Sequence, residues 1–189
     1  MKIYFMRHGE SENNLNGRMT GWMDPPLTTL GVEQARDARK KLDGIGFDKV
    51  YSSDFQRARV TCETALPGCE YTVDERLREI NVGCISGMTR AEIEEQYGDV
   101  FHECYSTGNY SRFGGETRDE FWGRIRSFLA DLGGKPYENV AVFAHAGLIR
   151  AVFNMLFNTA CGGKIANPNC LVAVFELNDG ELSLYAWNI

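Results

Sequence analysis

Short apolar segments alternate with amphipathic segments along most of the chain. The apolar segments have the length of buried strands, and we predict strands over residues 3–6, 48–53, 71–73 and 139–144. The segments between them repeat apolar residues at the spacing of one helical face, and we predict helices over residues 27–46, 54–66, 117–132 and 148–157. Strands that alternate with helices in this way predict a mostly parallel sheet that is covered on both faces.

The last part of the chain has a different pattern. Residues 171–177 and 181–189 are two strand-like segments joined by Asn178-Asp179-Gly180, a turn sequence that predicts an antiparallel hairpin. The predicted fold class is therefore a three-layer α/β/α protein with a mostly parallel central sheet and an antiparallel C-terminal edge.

Two segments lack a regular pattern. Residues 9–27 are polar and contain several glycine and proline residues, so we predict a loop. Residues 85–116 mix aromatic residues with glycine, and only residues 89–98 have a helical pattern. We predict that the chain forms one domain over residues 1–189, with an irregular lid or insertion at about 85–116.

Composition narrows the function classes and the cellular location. The 189 residues carry a formal net charge of -6, which argues against broad binding to nucleic acids or anionic membranes. None of the six cysteines forms a CxxC pair or a zinc-type spacing, and no apolar stretch is long enough to span a membrane. We expect a cytoplasmic protein with free thiols and no metal, and a homodimer is left open.

Polar residues follow three of the predicted strands, at the point where each strand ends. Arg7 and His8 follow the first strand, Ser52-Ser53 and then Arg57 come at the end of the second, and His145 follows the strand at 139–144. Ligands of parallel α/β sheets bind at the carboxyl ends of the strands, so these side chains are predicted to meet at one edge.

This set of residues has the chemistry of a phosphoryl-transfer site. Two guanidinium groups can hold phosphate oxygens, and a neutral imidazole can attack phosphorus. Glu79 lies in a setting that could keep a carboxyl protonated for the leaving oxygen. Each residue also has a simpler interpretation, such as a packed core histidine for His145 or an ion pair of Glu79 with Arg76 or Arg78.

Six motifs occur in an order that resembles the histidine phosphatase superfamily, also called the phosphoglycerate-mutase-like family. They are RHGES at 7–11, GWMDPPLTTLGVEQA at 21–35, YSSDFQRARVTCETA at 51–65, LREINVGCISG at 77–87, GGET at 114–117 and FAHAGLIR at 143–150. The resemblance implies a phosphoglycerate-mutase-like fold and a phosphohistidine mechanism that needs no cofactor.

The resemblance also implies the roles of individual residues. His8 would be the nucleophile, and Arg7, Arg57 and His145 would form the phosphate pocket. Glu79 would be the general acid. Three further positions would contact the substrate or its phosphate: Asn14, Thr20 and Gly21. Glu116, in the GGET motif, is expected to be a cap or a supporting residue.

Two departures from the family pattern limit what can be inferred about the substrate. Ile85-Ser86-Gly87 stands where many relatives carry Trp-Glu-Gly, and Ala144 precedes His145 where a serine is often found. Sugar phosphates, nucleotide-like phosphates such as α-ribazole phosphate, and phosphoglycerates all stay open. Five aromatic residues could line the mouth of the site, although we expect most of them to pack in the core or lid: Trp22, Phe101, Tyr105, Tyr110 and Phe113.

Three functions are compatible with the motifs. We favour hydrolysis of a small phosphomonoester, because the segment between Glu79 and His145 is short and no additional basic cluster is evident for a second acidic group. The alternative is a phosphoglycerate mutase. A non-catalytic protein that binds or senses a phosphorylated metabolite would keep the pocket, but it would have lost His8 or Glu79.

Overall fold

The computed structural model describes residues 1–159 and 165–189. Six strands and six helices follow one another in an order close to the one predicted. The elements are β1 (Lys2–Arg7), α1 (Glu12–Leu15), α2 (Thr29–Leu42), β2 (Lys49–Ser52), α3 (Gln56–Ala65), β3 (Thr72–Val73), α4 (Arg90–Thr107), α5 (Arg118–Gly133), β4 (Asn139–Ala144), α6 (Ala146–Phe157), β5 (Val172–Asn178) and β6 (Glu181–Trp187).

The strands form one six-stranded sheet in the order β3-β2-β4-β1-β5-β6. The first four strands of this order are parallel, while β5 and β6 are antiparallel to their neighbours. Asp179 and Gly180 at the β5–β6 turn both have positive φ angles, as the tight turn of a hairpin requires. The predicted fold class is confirmed.

Separate cores cover the two faces of the sheet. Helices α5 and α6 pack on one face through residues such as Phe128 and Leu148, and helices α2 and α3 pack on the other through small residues such as Ala35 and Ala65. Every residue of β4 from Val140 to Ala144 is buried, as expected for a central strand with a helix layer on each side. The sheet therefore provides a rigid frame for side chains at its carboxyl edge.

The structure differs from the sequence-based prediction in two segments. The predicted loop at 9–27 contains the one-turn helix α1, which begins at a capping box made by Ser11 and Asn14. The segment at 85–116 is mainly helical, because α4 continues to Thr107 beyond a kink at Gly98. The prediction ended the helix at this glycine, but the small core beneath it, which includes Phe101, stabilises the second half.

No helix within the described residues is long and apolar enough to cross a membrane.

Candidate active site

The carboxyl ends of β1, β2 and β4 lie side by side. The backbone N–H of His8 donates to the carbonyl of Ala144 at 3.0 Å, and that of Ser53 donates to the carbonyl of Phe143 at 2.9 Å. These contacts bring the residues after the three strands to one edge of the sheet. A cavity of about 250 Å³ opens there, and its lining includes seven of the eight predicted site residues: Arg7, His8, Asn14, Thr20, Gly21, Arg57 and Glu79.

The protonation state of His8 follows from its single ring hydrogen bond. Its Nδ1 lies 2.7 Å from the carbonyl oxygen of Gly9, which can only accept, so Nδ1 carries the proton. Burial and the positive charges of Arg57 and Arg7 hold the pKa of His8 well below its usual value. The ring is therefore neutral near pH 7, and its Nε2 has a free lone pair.

His145, the eighth predicted residue, lies beside His8 rather than on the cavity wall. It is completely buried, and the centroids of the two rings are 5.2 Å apart. Its Nε2 lies 2.9 Å from the hydroxyl oxygen of Ser53, while its Nδ1 is buried without a partner in the described part of the chain. Burial and the charge of Arg57 hold the pKa of His145 well below its usual value.

Arg57 is one of the most buried charged side chains, at 1% exposure. Its guanidinium donates to the carbonyls of Met23 and Gly21 at 2.6 and 3.2 Å and contacts the Asp24 carboxylate at 3.3 Å. Burial lowers the pKa of Arg57 to about 10, so the group stays charged at neutral pH. The loop at 21–24 thus fixes one side of the guanidinium, while Nε is buried with no partner among the described residues.

Arg7 and Asn14 complete the wall on the β1 side. The guanidinium of Arg7 donates to the carbonyl of Asn167, and its Nε, like that of Arg57, is buried and has no partner within residues 1–159 and 165–189. The side-chain oxygen of Asn14 accepts from the backbone N–H of Ser11 and from the side-chain amide of Asn169. These contacts fix the orientation of both side chains.

Glu79 lines the same cavity as His8. Its carboxylate accepts hydrogen bonds from the backbone N–H groups of Gly147 and Ile80, both at 2.9 Å. The ion pairs considered from the sequence do not form: Arg76 pairs with Asp74 and Asp131, and Arg78 pairs with Asp54. The Glu79 carboxylate is thus held at the start of α6, next to His145.

Arg124 fixes the backbone of the segment that carries Glu79. Its guanidinium donates to the carbonyls of Arg76, Arg78 and Glu79 at 2.7 to 2.8 Å, and it also pairs with the Glu116 carboxylate at 2.9 Å. Glu116 in turn accepts from the backbone N–H of Asn81. The expected supporting position of Glu116 agrees with these contacts, but the sequence analysis did not identify Arg124.

Two further arginines line the cavity, and the sequence analysis missed both. They are Arg18, from the loop after α1, and Arg150, in the second turn of α6. The expectation that no additional basic cluster exists was therefore wrong. For Arg150 a signal was available, because it follows His145 by five residues on a helix that begins at the sheet edge.

The five aromatic candidates divide into three groups. Tyr105 and Tyr110 line the cavity, whereas Phe101 and Phe113 are buried in the small core beneath α4. Trp22 is exposed, and its indole N–H donates to the carbonyl of Glu79 at 2.8 Å. His102 lies on the surface, as the sequence analysis expected.

The two depressed histidine pKa values predict how stability changes with pH. Below about pH 6.5 the unfolded chain binds protons that the folded chain does not bind, so the free energy of unfolding decreases as the pH falls from 7 toward 5. Two such groups contribute up to about 2.7 kcal/mol per pH unit. The dependence of the free energy of unfolding on pH is measured by urea unfolding at several pH values. His145→Gln should reduce the slope of this dependence by the contribution of up to about one bound proton. The control His102→Gln, at the exposed histidine, should leave the slope unchanged, and equal slopes for both variants would contradict the assignment.

The cavity as a whole concentrates hydrogen-bond donors for an oxyanion. Four arginines line it and Glu79 is the single carboxylate on its wall among the described residues. Over the same residues, no group of three or more His, Cys, Asp or Glu side chains is placed to hold a metal ion. The donor set has the chemistry to bind a phosphate group, and the neutral His8 imidazole lines the same cavity.

Comparisons with known proteins agree with this geometry. A protein of Hydrogenobacter thermophilus, whose name proposes a phosphoserine phosphatase, is 35% identical over 158 residues, which cover 82% of this chain and 78% of that protein. A 2,3-bisphosphoglycerate-dependent phosphoglycerate mutase of Methylorubrum extorquens is 34% identical over 168 residues, with the same coverage of both chains.

The fold is also similar to solved structures. A mycobacterial glucosyl-3-phosphoglycerate phosphatase, solved in complex with VO3, superposes with a TM-score of 0.87 and 27% identity over 99% of this chain and 98% of that one. The model of the histidine phosphatase superfamily, branch 1, matches residues 3–189. The chain belongs to the histidine phosphatase superfamily.

Proposed function

We propose that the protein hydrolyses the phosphate monoester of a small metabolite through a phosphohistidine on His8. The observation that carries this proposal is the state of His8: its Nδ1 proton is fixed by the Gly9 carbonyl, so an unprotonated Nε2 remains beside two arginines. This is the form of imidazole that can attack phosphorus. The similarity to named phosphatases supports the same reaction class.

The substrate phosphate binds first, between Arg7, Arg57 and the two histidines. The unpartnered Nε–H groups of both arginines are buried donors, and a phosphate oxygen would satisfy each of them. The buried Nδ1 of His145 is a third candidate donor. Because these groups are already fixed by the protein, little reorganisation accompanies binding.

Phosphoryl transfer to His8 then needs a proton for the leaving oxygen. The Nε2 lone pair forms the N–P bond while the P–O bond to the alcohol breaks, and Glu79 donates its proton to the departing oxygen. Arg7 and Arg57, beside His8, stabilise the charge on the transferring oxygens.

The second step returns the enzyme to its starting state. Glu79, now ionised, takes a proton from a water molecule that attacks phosphorus on the opposite side from His8. The N–P bond breaks, inorganic phosphate leaves, and His8 regains its lone pair at Nε2. We place this reaction in the cytoplasm. Tyr105 and Tyr110, in the lid at 85–116, form one side of the cavity.

A mutase is the second candidate, and two observations favour it. Arg18 and Arg150 add positive charge to the cavity, and a 34% identical relative is named as a phosphoglycerate mutase. A mutase must keep water away from the phosphohistidine, whereas a phosphatase admits it. The two reactions therefore differ in the acceptor of the same phosphoryl group.

One incubation distinguishes the two acceptors. With 3-phosphoglycerate and a trace of 2,3-bisphosphoglycerate, we expect inorganic phosphate to be released faster than the 2- and 3-isomers exchange. Phosphate is measured by a colorimetric assay and the isomers by ³¹P NMR in the same sample. Rapid isomer exchange without phosphate release would show that the protein is a mutase.

A further inference from the structure

A smaller side pocket of about 60 Å³ adjoins the main cavity. Several residues form the wall shared by the two spaces: Ile80, Tyr105, Tyr110, Gly147 and Arg150. The side pocket extends between α5 and α6, where Asn154, Phe121 and Trp122 form its inner wall and Arg118 its rim. Its volume holds roughly four to six water-sized groups, enough for a carboxylate and an adjacent carbon but not for a sugar ring or a base.

Arg150 brings a positive charge to this pocket that the described residues do not neutralise. It forms no side-chain hydrogen bond or ion pair within residues 1–159 and 165–189, and its Nε is buried without a partner there. Its charge also reaches the main cavity, where burial and then the charge of Arg150 lower the pKa of Arg7. A buried donor of this kind costs free energy unless a ligand acceptor satisfies it.

Asn154 supplies a second donor. Its side-chain oxygen accepts a hydrogen bond from the hydroxyl of Thr159 at 2.8 Å. The amide N–H groups of Asn154 therefore remain available to donate to a ligand. No carboxylate lines the side pocket in the described part of the chain. On the rim, the Arg118 guanidinium lies 5.2 Å from the centre of the Trp122 ring. The pocket therefore offers hydrogen-bond donors and positive charge, so the ligand that fits it is an anion.

We infer that Arg150 and Asn154 bind a carboxylate on the alcohol part of the substrate, so the substrate class is the phosphate ester of a small hydroxy acid. This inference rests on the proposed function for the reaction itself. The charges agree with this inference. Arg7 and Arg57 balance the two negative charges of the phosphate, so the positive charge of Arg150 remains to balance a third negative charge, that of the carboxylate. The shared wall places the carboxylate a few bonds from the phosphorus, on the side from which Glu79 protonates the leaving oxygen.

Two esters that differ in one group test the inference. 3-Phosphoglycerate carries a carboxylate where glycerol 3-phosphate carries a hydroxymethyl group. Loss of a charge-assisted hydrogen bond should make Arg150→Met lower kcat/KM for 3-phosphoglycerate by roughly 10- to 150-fold. For glycerol 3-phosphate we expect less than a threefold change. The control Arg36→Met, at an exposed arginine on α2, should change neither value.

Equal losses for both esters would overturn the inference, because they would show that Arg150 holds the transferred phosphate or only supports the fold. No loss for either ester would overturn it as well. Arg150→Gln provides a second variant if Arg150→Met does not fold, as judged by thermal unfolding.

A binding measurement separates this inference from the proposed function. In the His8→Ala background, calorimetry should show tighter binding of 3-phosphoglycerate than of glycerol 3-phosphate, and Arg150→Met should remove that preference. If the wild type hydrolyses no phosphomonoester, the proposed function fails while the binding preference still decides the carboxylate site. If the preference is absent, the inference fails whatever the turnover.

Discussion

His8→Ala is expected to lower kcat by a factor on the order of 10⁴ or more, for every phosphomonoester that the wild type hydrolyses. The alanine removes the Nε2 lone pair, so no phosphohistidine can form, and binding to the arginines alone leaves only a small residual rate. The loss should be seen in kcat for both alkyl and aryl esters. Initial rates of phosphate release, measured at saturating substrate, give the comparison.

The fold should survive this substitution, because His8 lies at the end of β1 and its backbone contacts to Ala144 do not involve the ring. His102→Ala, at the exposed histidine, is the matched control and should retain full activity. A His8→Ala protein that is folded and still turns over a phosphomonoester within tenfold of the wild-type rate would refute the mechanism.

Glu79→Gln should affect alkyl and aryl esters very differently. An alkyl phosphate must expel a strongly basic alkoxide, so loss of the proton donor should lower its rate of phosphoryl transfer by about 10²- to 10⁴-fold, the usual scale of general acid catalysis. p-Nitrophenolate leaves with little help, and the burst with p-nitrophenyl phosphate should fall much less. The burst is the quantity to compare, because the second step also uses Glu79.

Gly147→Ala tests the position of the same carboxyl without removing it. A methyl group on Gly147 would overlap the Glu79 carboxylate, which accepts a hydrogen bond from the Gly147 N–H, so the carboxyl must move. We expect the same difference between alkyl and aryl esters as in Glu79→Gln, with a smaller amplitude.

If Glu79→Gln lowers the bursts with the alkyl and the aryl ester equally, Glu79 has no role in proton transfer.

The fold and the strand-end residues could be predicted from the sequence because both follow from local patterns. β4 is apolar over its whole length, and a strand with that pattern must be covered on two faces. Once the sheet is parallel, its strand ends share one edge, and this places His8, Arg57 and His145 together without further information.

The parts that the sequence did not predict depend on contacts between distant segments. Gly98 has the local signature of a helix end, yet packing of Phe101 and its neighbours extends α4 beyond it. Arg124 reaches three carbonyls that lie more than 40 residues away, and no spacing rule indicates such contacts. Glu79 could be named as an acid, but its hydrogen bond to Gly147 is visible only in the structure.

Trapping of the phosphorylated enzyme would detect the phosphohistidine on His8 itself. The wild type is mixed with a phosphomonoester, quenched in alkali within milliseconds and analysed by intact-protein and peptide mass spectrometry. We expect one added phosphoryl group on the peptide that contains His8, lost on acid treatment and absent in His8→Ala. A phosphoryl group on another residue, or phosphate release with no phosphorylated enzyme at any quench time, would contradict it.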